Sequence, residues 1–407
     1  MLTFRKALIV AAFVLTLIYL FRSSHSSAPA HSIKGNTGGQ RPEADAATYP
    51  QTTGRAAYKP SQSGRLYPPP TASKKKQSGQ QTLTDIAGKP LREQLQYQFP
   101  YDVEGKFPAY IWQTWKYTPA SGEFEESFRP AEASWTEAHP GFVHEVITDE
   151  VAVHLIRHLY ASVPSVLEAY KSLPLPVLKA DFFRYLVLLA RGGIYTDIDT
   201  FALKSTTEWI PAEVSRSSIG LIIGIEADPD REDWREWYSR RIQFCQWTIQ
   251  SKPGHPVLRD IVATITEDTL RMKKAGILKS GKLDKSVVEF TGPAVWTDTV
   301  FKFFNNPEFF EMERSKGNIS YEHFTGMKTA KKVGDVVVLP ITSFSPGVQQ
   351  MGAGEPDDPM AFVRHEFEGK LHHHQPTTPS DSRLTPPYRH MEAQGREKGP
   401  RLDRRYD

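Results

Sequence analysis

Hydrophobic and polar positions divide this chain into stretches of different character. An apolar run uninterrupted by any charge fills residues 7–21, with Arg5 and Lys6 before it and Arg22 after it. From 22 to 90 the chain is rich in Ser, Thr, Gly, Gln, Pro and Lys, including Pro68-Pro69-Pro70 and Lys74-Lys75-Lys76, and poor in large apolar side chains. Such a segment buries too little surface to offset its ordering entropy, so it reads as a disordered stem. Residues 91–371 alternate short apolar runs with helical patterns. Residues 372–407, opening with His372-His373-His374, turn polar again and read as a disordered, solvated tail.

Inside 91–371 the spacing of Leu91, Leu95 and Phe99 predicts a short leading helix. Tyr110-Ile111-Trp112, Phe142–Ile147, Leu221–Ile225 and Val336–Leu339 read as strands, and Asp149 is placed to cap a helix running to Tyr160. Val177–Ala190 has no internal proline or glycine and is apolar nearly all round, which predicts a buried helix opened by Pro176 and closed by Gly192-Gly193. Beyond the glycines, Ile194, Thr196 and Ile198 alternate with Tyr195, Asp197 and Asp199, which predicts a strand carrying both acids on one face. The order of elements predicts an α/β fold with a mostly parallel central sheet and a ligand crevice at the carboxyl ends of its strands. About 280 residues suffice for one large domain or two fused halves.

Two neighbouring acids repel unless a positive group lies between them, and a hard divalent cation with oxygen ligands is the usual answer. A diphosphate is a natural further ligand, an arrangement suited to a sugar-nucleotide enzyme. Asp-x-Asp alone is a weak signal, because such acids also cap helices or simply meet water. Its context adds weight: Asp181 and Arg184 stand three apart in the apolar helix, where they either pair with each other or reach a shared ligand.

Composition narrows the field further. A net charge of +3 over 407 residues makes no case for nucleic acid. With Cys245 as its only cysteine the chain forms no internal disulfide, and the neighbours Phe244, Trp247 and Ile249 suggest a buried thiol. The fifteen residues at 7–21 make roughly 22 Å of helix, short for a typical bilayer but closer to a thin early secretory membrane. They read as a single signal anchor, with residues 1–6 cytoplasmic and the rest lumenal. A cleaved signal peptide, with Ala28-Pro29-Ala30 as a loose cleavage site, is the rival. In a lumenal setting Asn318-Ile319-Ser320 is a usable glycosylation sequon.

The segment Leu178-Lys179-Ala180-Asp181-Phe182-Phe183-Arg184-Tyr185, followed by Gly192-Gly193-Ile194-Tyr195-Thr196-Asp197-Ile198-Asp199-Thr200, resembles the signature of the fungal initiation-specific α-1,6-mannosyltransferases of glycosyltransferase family 32. Ile111-Trp112-Gln113-Thr114-Trp115-Lys116, Gln246-Trp247-Thr248-Ile249, Gly254-His255-Pro256, Thr291-Gly292-Pro293, Ser343-Phe344-Ser345-Pro346-Gly347 and the set His365, Phe367, Gly369 are similar to the same family. The resemblance spans about residues 91–371 and implies a GT-A catalytic domain. It implies transfer of mannose from GDP-mannose, with retention of the α configuration, to the N-glycan core of glycoproteins. That reaction initiates the outer chain in the Golgi, on a high-mannose acceptor, with Mn²⁺ or Mg²⁺ as cofactor. Asp197, Asp199 and His365 are then the implied metal ligands. Arg184 steadies the donor, Asp181 orients it or binds a sugar hydroxyl, and Trp112, Gln113 and Thr114 line the guanosine site, with Tyr195 and Gly292 completing the donor set. Front-face attack by the acceptor, assisted by the leaving diphosphate, needs no further carboxylate. Trp234, Trp237 and Tyr238 are candidates for an acceptor-stacking platform. The chain departs from the pattern at Gly369-Lys370-Leu371, where relatives continue Gly-Ser-Trp-Lys, leaving that tryptophan's role unfilled. Rival readings are mannosylation of inositol phosphoceramide, a non-catalytic subunit of a mannan polymerase complex, and a metal-dependent phosphohydrolase. The last lacks its usual further Asp and His motifs. A Golgi mannosyltransferase complex is a candidate partner.

Overall fold

The computed structural model describes residues 86–211, 214–229, 231–236, 238–278, 283–311 and 318–366, together with 57–58. The expected anchor at 7–21, nearly all of the stem, Trp237, Gly369 and the tail at 372–407 lie outside the described residues. Among those described, no helix is long and apolar enough to cross a membrane.

The main helices are α1 (Leu91–Gln98), α2 (Arg129–Ala138), α3 (Asp149–Leu159), α4 (Pro164–Ser172), α5 (Pro176–Arg191), α6 (Pro256–Lys274) and α7 (Pro293–Phe304). The strands are β1 (Tyr110–Thr114), β2 (Val143–Ile147), β3 (Gly193–Thr196), β4 (Thr200–Ala202), β5 (Leu221–Ala227), β6 (Gln243–Phe244), β7 (Thr248–Ser251), β8 (Lys331–Val333), β9 (Val336–Leu339) and β10 (Val363–His365). The central sheet runs β8-β9-β5-β7-β3-β1-β2, with β6 pairing the end of β5. β2, β1, β3, β5 and β9 point the same way, so the sheet is mixed with one prevailing direction. The antiparallel β7 sits between β3 and β5, a feature the apolar runs did not announce. β4 and β10 form a separate antiparallel pair that registers Thr200 opposite His365.

Both faces of the sheet are covered. Tyr195, Ile223, Ile225 and Ile249 pack on α5 and α6, while Ile111, Ile194, Ile222 and Val337 pack on Trp135 of α2, Trp209 and Phe344. Burial on both faces explains why β5 reads as one continuous apolar run rather than an alternating one.

α5 forms as its sequence requires. Pro176 occupies the first turn, and nine consecutive side chains from Asp181 to Leu189 are buried. Gly192 stops the helix with φ 64°, its N–H returning to the Leu188 carbonyl at 2.9 Å. The short turn to β3 therefore fixes the acidic segment against the end of a rigid helix. One cap differs from expectation: the hydroxyl of Thr148, not Asp149, caps α3, accepting from Val151 N at 3.4 Å, and Asp149 is the first helical residue.

Candidate active site

β3 ends at Thr196, and Asp197-Ile198-Asp199 forms a turn rather than continuing the strand. This corrects the expectation that strand alternation brings the acids together. The Thr200 hydroxyl donates to the Asp197 carbonyl at 2.6 Å and shares a 2.7 Å hydrogen bond with the Thr196 hydroxyl, which in turn meets Thr248 at 2.7 Å. Asp197 N–H donates to the Trp247 carbonyl at 2.9 Å, tying the turn to the chain just ahead of β7. Ile198 is buried against Phe124 and Phe128 and anchors the turn from its far side.

The two carboxylates converge with an imidazole. The β4–β10 pairing brings in His365, whose Nε2 lies 3.0 Å from Asp199 Oδ1, and Glu366 N–H donates to the Asp199 carbonyl at 3.0 Å. One ligand atom each from Asp197, Asp199 and His365 lies within 4.8 Å of the others. Two carboxylates and one imidazole, at the carboxyl ends of β1 and β3, are a donor set that fits a divalent cation such as Mn²⁺.

Arg184 joins this cluster from α5. Its Nη2 lies 3.3 Å from Asp197 Oδ1 and 3.1 Å from Asp181 Oδ1, and its guanidinium sits 5.0 Å above the Tyr195 ring. Burial opposes the arginine's charge, but the neighbouring Asp197, Tyr195 and Asp181 outweigh it and hold the group protonated. Both oxygens of Asp181 are engaged: Oδ2 accepts from Thr291 Oγ1 at 2.9 Å, and Oδ1 accepts from Gln246 Nε2 at 3.2 Å and forms the ion pair with Arg184. Burial pushes its carboxyl up to about 6, against the pull of Arg184 and Thr291. Asp181 is thus placed to orient Arg184.

The residues expected around the nucleotide divide. Thr114 Oγ1 lies 3.1 Å from the Tyr195 hydroxyl, which donates to Asp197 Oδ1 at 3.0 Å, so these two adjoin the acids. Trp112 and Gln113 are turned inward. The Trp112 indole donates to the Gly192 carbonyl at 2.9 Å and stacks on Tyr110, supporting the turn from α5 into β3. Gln113 is fully buried, and its amide donates to the Asp197 carbonyl at 3.2 Å. Gly292 is a packing glycine at the start of α7, where a Cβ would lie 2.7 Å from Val288 Cα. Trp234 and Tyr238 are half-buried, joined by a 2.8 Å bond from Tyr238 N–H to the Trp234 carbonyl. Cys245 is completely buried, and burial raises its thiol well above the usual range. Sequence reasoning did not single out Gln246, Thr291, Thr200 or His144 individually. The first three lie in or beside quoted motifs, whereas nothing in the pattern marked His144.

Residues 125–216 match the family model described as "Glycosyltransferase sugar-binding region containing DXD motif". The chain is 50% identical over 291 residues to the initiation-specific alpha-1,6-mannosyltransferase of Candida albicans, covering 69% of this chain and 76% of the relative. It is 45% identical over 275 residues to the Schizosaccharomyces pombe protein of the same name, covering 67% and 66%. To inositol phosphoceramide mannosyltransferase 2 of S. pombe it is 32% identical over 118 residues, only 29% of this chain.

Proposed function

This chain belongs to the family of the initiation-specific α-1,6-mannosyltransferases, and from that premise we propose that it transfers mannose from GDP-mannose in α-1,6 linkage to the N-glycan core of glycoproteins. It is a glycosyltransferase of the DXD type, on a sheet whose layering and site position are consistent with the GT-A fold. The observation that carries the reading is the convergence of Asp197, Asp199 and His365 beside Arg184 at the carboxyl ends of β1 and β3.

Asp197, Asp199 and His365 are the side chains that would hold Mn²⁺, or Mg²⁺. A cation bound there would neutralise the donor's diphosphate and offset the charge that develops as the sugar leaves. Arg184 supplies a permanently charged group beside Asp197, suited to phosphate oxygens, and Asp181 holds it in that position. Tyr195 and Thr114 fix the Asp197 carboxylate through one hydroxyl chain. We further propose retention of configuration by front-face attack of the acceptor hydroxyl, and a Golgi enzyme of single-pass type II orientation with a lumenal catalytic domain, acting on high-mannose N-glycans and open to membership of a mannosyltransferase complex. The shorter match to inositol phosphoceramide mannosyltransferases favours a glycoprotein acceptor over a sphingolipid.

The test is the full chain, purified in detergent, given GDP-mannose, a defined high-mannose glycan and Mn²⁺, with linkage analysis of the product. The expected product is an added α-1,6-mannose, formed neither under chelation nor by Asp199→Ala. Transfer that survives both treatments would remove the metal from the mechanism. Transfer to a sphingolipid alone would reassign the acceptor.

A further inference from the structure

The acidic turn is gripped from beyond the strand that carries it. The Asp197 carbonyl accepts two hydrogen bonds, one from Thr200 within the turn and one from the buried Gln113 amide of β1. The other end of that amide, Gln113 Oε1, lies 2.9 Å from His144 Nε2 on β2, and His144 Nδ1 lies 2.8 Å from the Thr136 hydroxyl on α2. Glu132 Oε1 lies 3.7 Å from the same Nδ1, outside hydrogen-bond reach.

The direction of this chain of bonds is set by its last member. A carbonyl only accepts, so Gln113 must present its N–H to Asp197 and its oxygen to His144. An amide oxygen only accepts, so the ring proton of His144 belongs on Nε2, and Nδ1 of the neutral ring accepts from Thr136. Burial, with His139 nearby, pushes His144 down to about 4, so the ring is neutral and in this one tautomer near neutral pH. No member of the chain has a choice of partner that would leave the others satisfied.

We propose that Thr136, His144 and Gln113 form a positioning relay that sets the geometry of the Asp197–Asp199 turn, so that affinity for a divalent cation depends on side chains that never touch the ion. The relay rests on the reading that these acids hold the metal. Partners that orient metal ligands typically contribute 10–100-fold in affinity. This relay acts on the backbone of a ligand residue and leaves its carboxylate in place, which puts the expected effect at the lower end.

The experiment titrates full-length protein with Mn²⁺ alone, reading free ion by electron paramagnetic resonance, with donor and acceptor absent. His144→Leu and Gln113→Leu should each weaken Mn²⁺ binding about 10-fold. His144→Gln, which puts an amide N–H where Nε2–H stood, should recover most of the loss. Thr136→Val, at an exposed position that leaves the fold untouched, should weaken binding by about 3-fold. At saturating Mn²⁺, kcat should stay within about 2-fold of wild type while the metal concentration needed for half-maximal activity rises; a merely structural role would lower kcat and give no rescue by glutamine. Unchanged Mn²⁺ affinity in all three loss variants, with wild type binding normally, overturns the relay alone. Wild-type protein that binds no Mn²⁺ overturns the relay and the metal-dependent function together.

Discussion

Asp181→Asn is the perturbation whose size the structure sets most directly. Asp181 is 4% exposed, enclosed by Arg184, Thr291 and Gln246, and burial raises its carboxyl from the ordinary 3.8 to about 6. A carboxyl with a raised folded-state pKa holds its proton more tightly folded than unfolded. Stability is therefore lost as pH rises through the window from 3.8 to about 6, the reverse of a carboxylate whose pKa is depressed on folding. At about 1.4 kcal/mol per pKa unit the full penalty is about 3 kcal/mol, of which about 1 kcal/mol has accumulated by about pH 4.5. Between about pH 4.5 and about pH 7.5 this one group should thus cost the native chain about 2 kcal/mol. Asparagine keeps the shape and an acceptor for Arg184, offers an N–H to the Thr291 hydroxyl, and does not titrate. Urea unfolding of wild type and variant at the two pH values gives the answer, because the other titrating groups cancel in the difference. The variant should gain about 2 kcal/mol on wild type across the interval. A flat difference, or a gain by wild type, would refute the burial-dominated reading and make Arg184 the stronger influence on Asp181.

Two further outcomes follow from local geometry. Gly193→Ala should destabilise the chain by at least about 2 kcal/mol in urea unfolding, because φ there is 96° and the new Cβ would lie 2.6 Å from the Tyr110 carbonyl oxygen, a backbone atom that cannot move cheaply; a loss under about 0.5 kcal/mol would contradict that close approach. Cys245, with no exposed surface and a thiol raised by burial, should resist a maleimide in the native protein and react once unfolded; fast native labelling would show an opening of the core that the structure does not contain.

What was legible in the sequence follows from how strongly each pattern constrains the backbone. Pro176 and Gly192-Gly193 bracket α5 because one fixes φ at a helix start and the others leave it by positive φ, so its ends fall where the residues place them. Val336–Leu339 is a strand in full because four consecutive apolar, mostly β-branched residues have few alternatives. β7 escaped notice because Thr248-Ile249-Gln250-Ser251 is mostly polar. Its burial is tolerable only because partners lie across the sheet, as the Thr248 hydroxyl meets Thr196, and no local pattern announces a partner 52 residues away. The direction of Trp112 and Gln113 was hidden for the same reason. Residues at the end of a strand point to the crevice or into the core according to neighbours that only the tertiary structure supplies, here Gly192, Asp197 and His144.

The acids show most clearly where pattern and structure part. In a strand, residues two apart share a face but stand about 7 Å apart along it, so alternation by itself spreads two carboxylates rather than gathering them. The turn after Thr196 closes that gap and leaves room for His365 in the same 4.8 Å cluster. What makes it a turn is the Thr200 hydroxyl, which captures the carbonyl three residues back and gives the backbone an alternative to the ladder. A threonine directly after Asp-x-Asp is therefore a signal for the turn. The second lone pair of that carbonyl is then free for Gln113, which is how a device for shaping the backbone also becomes the attachment point of the relay.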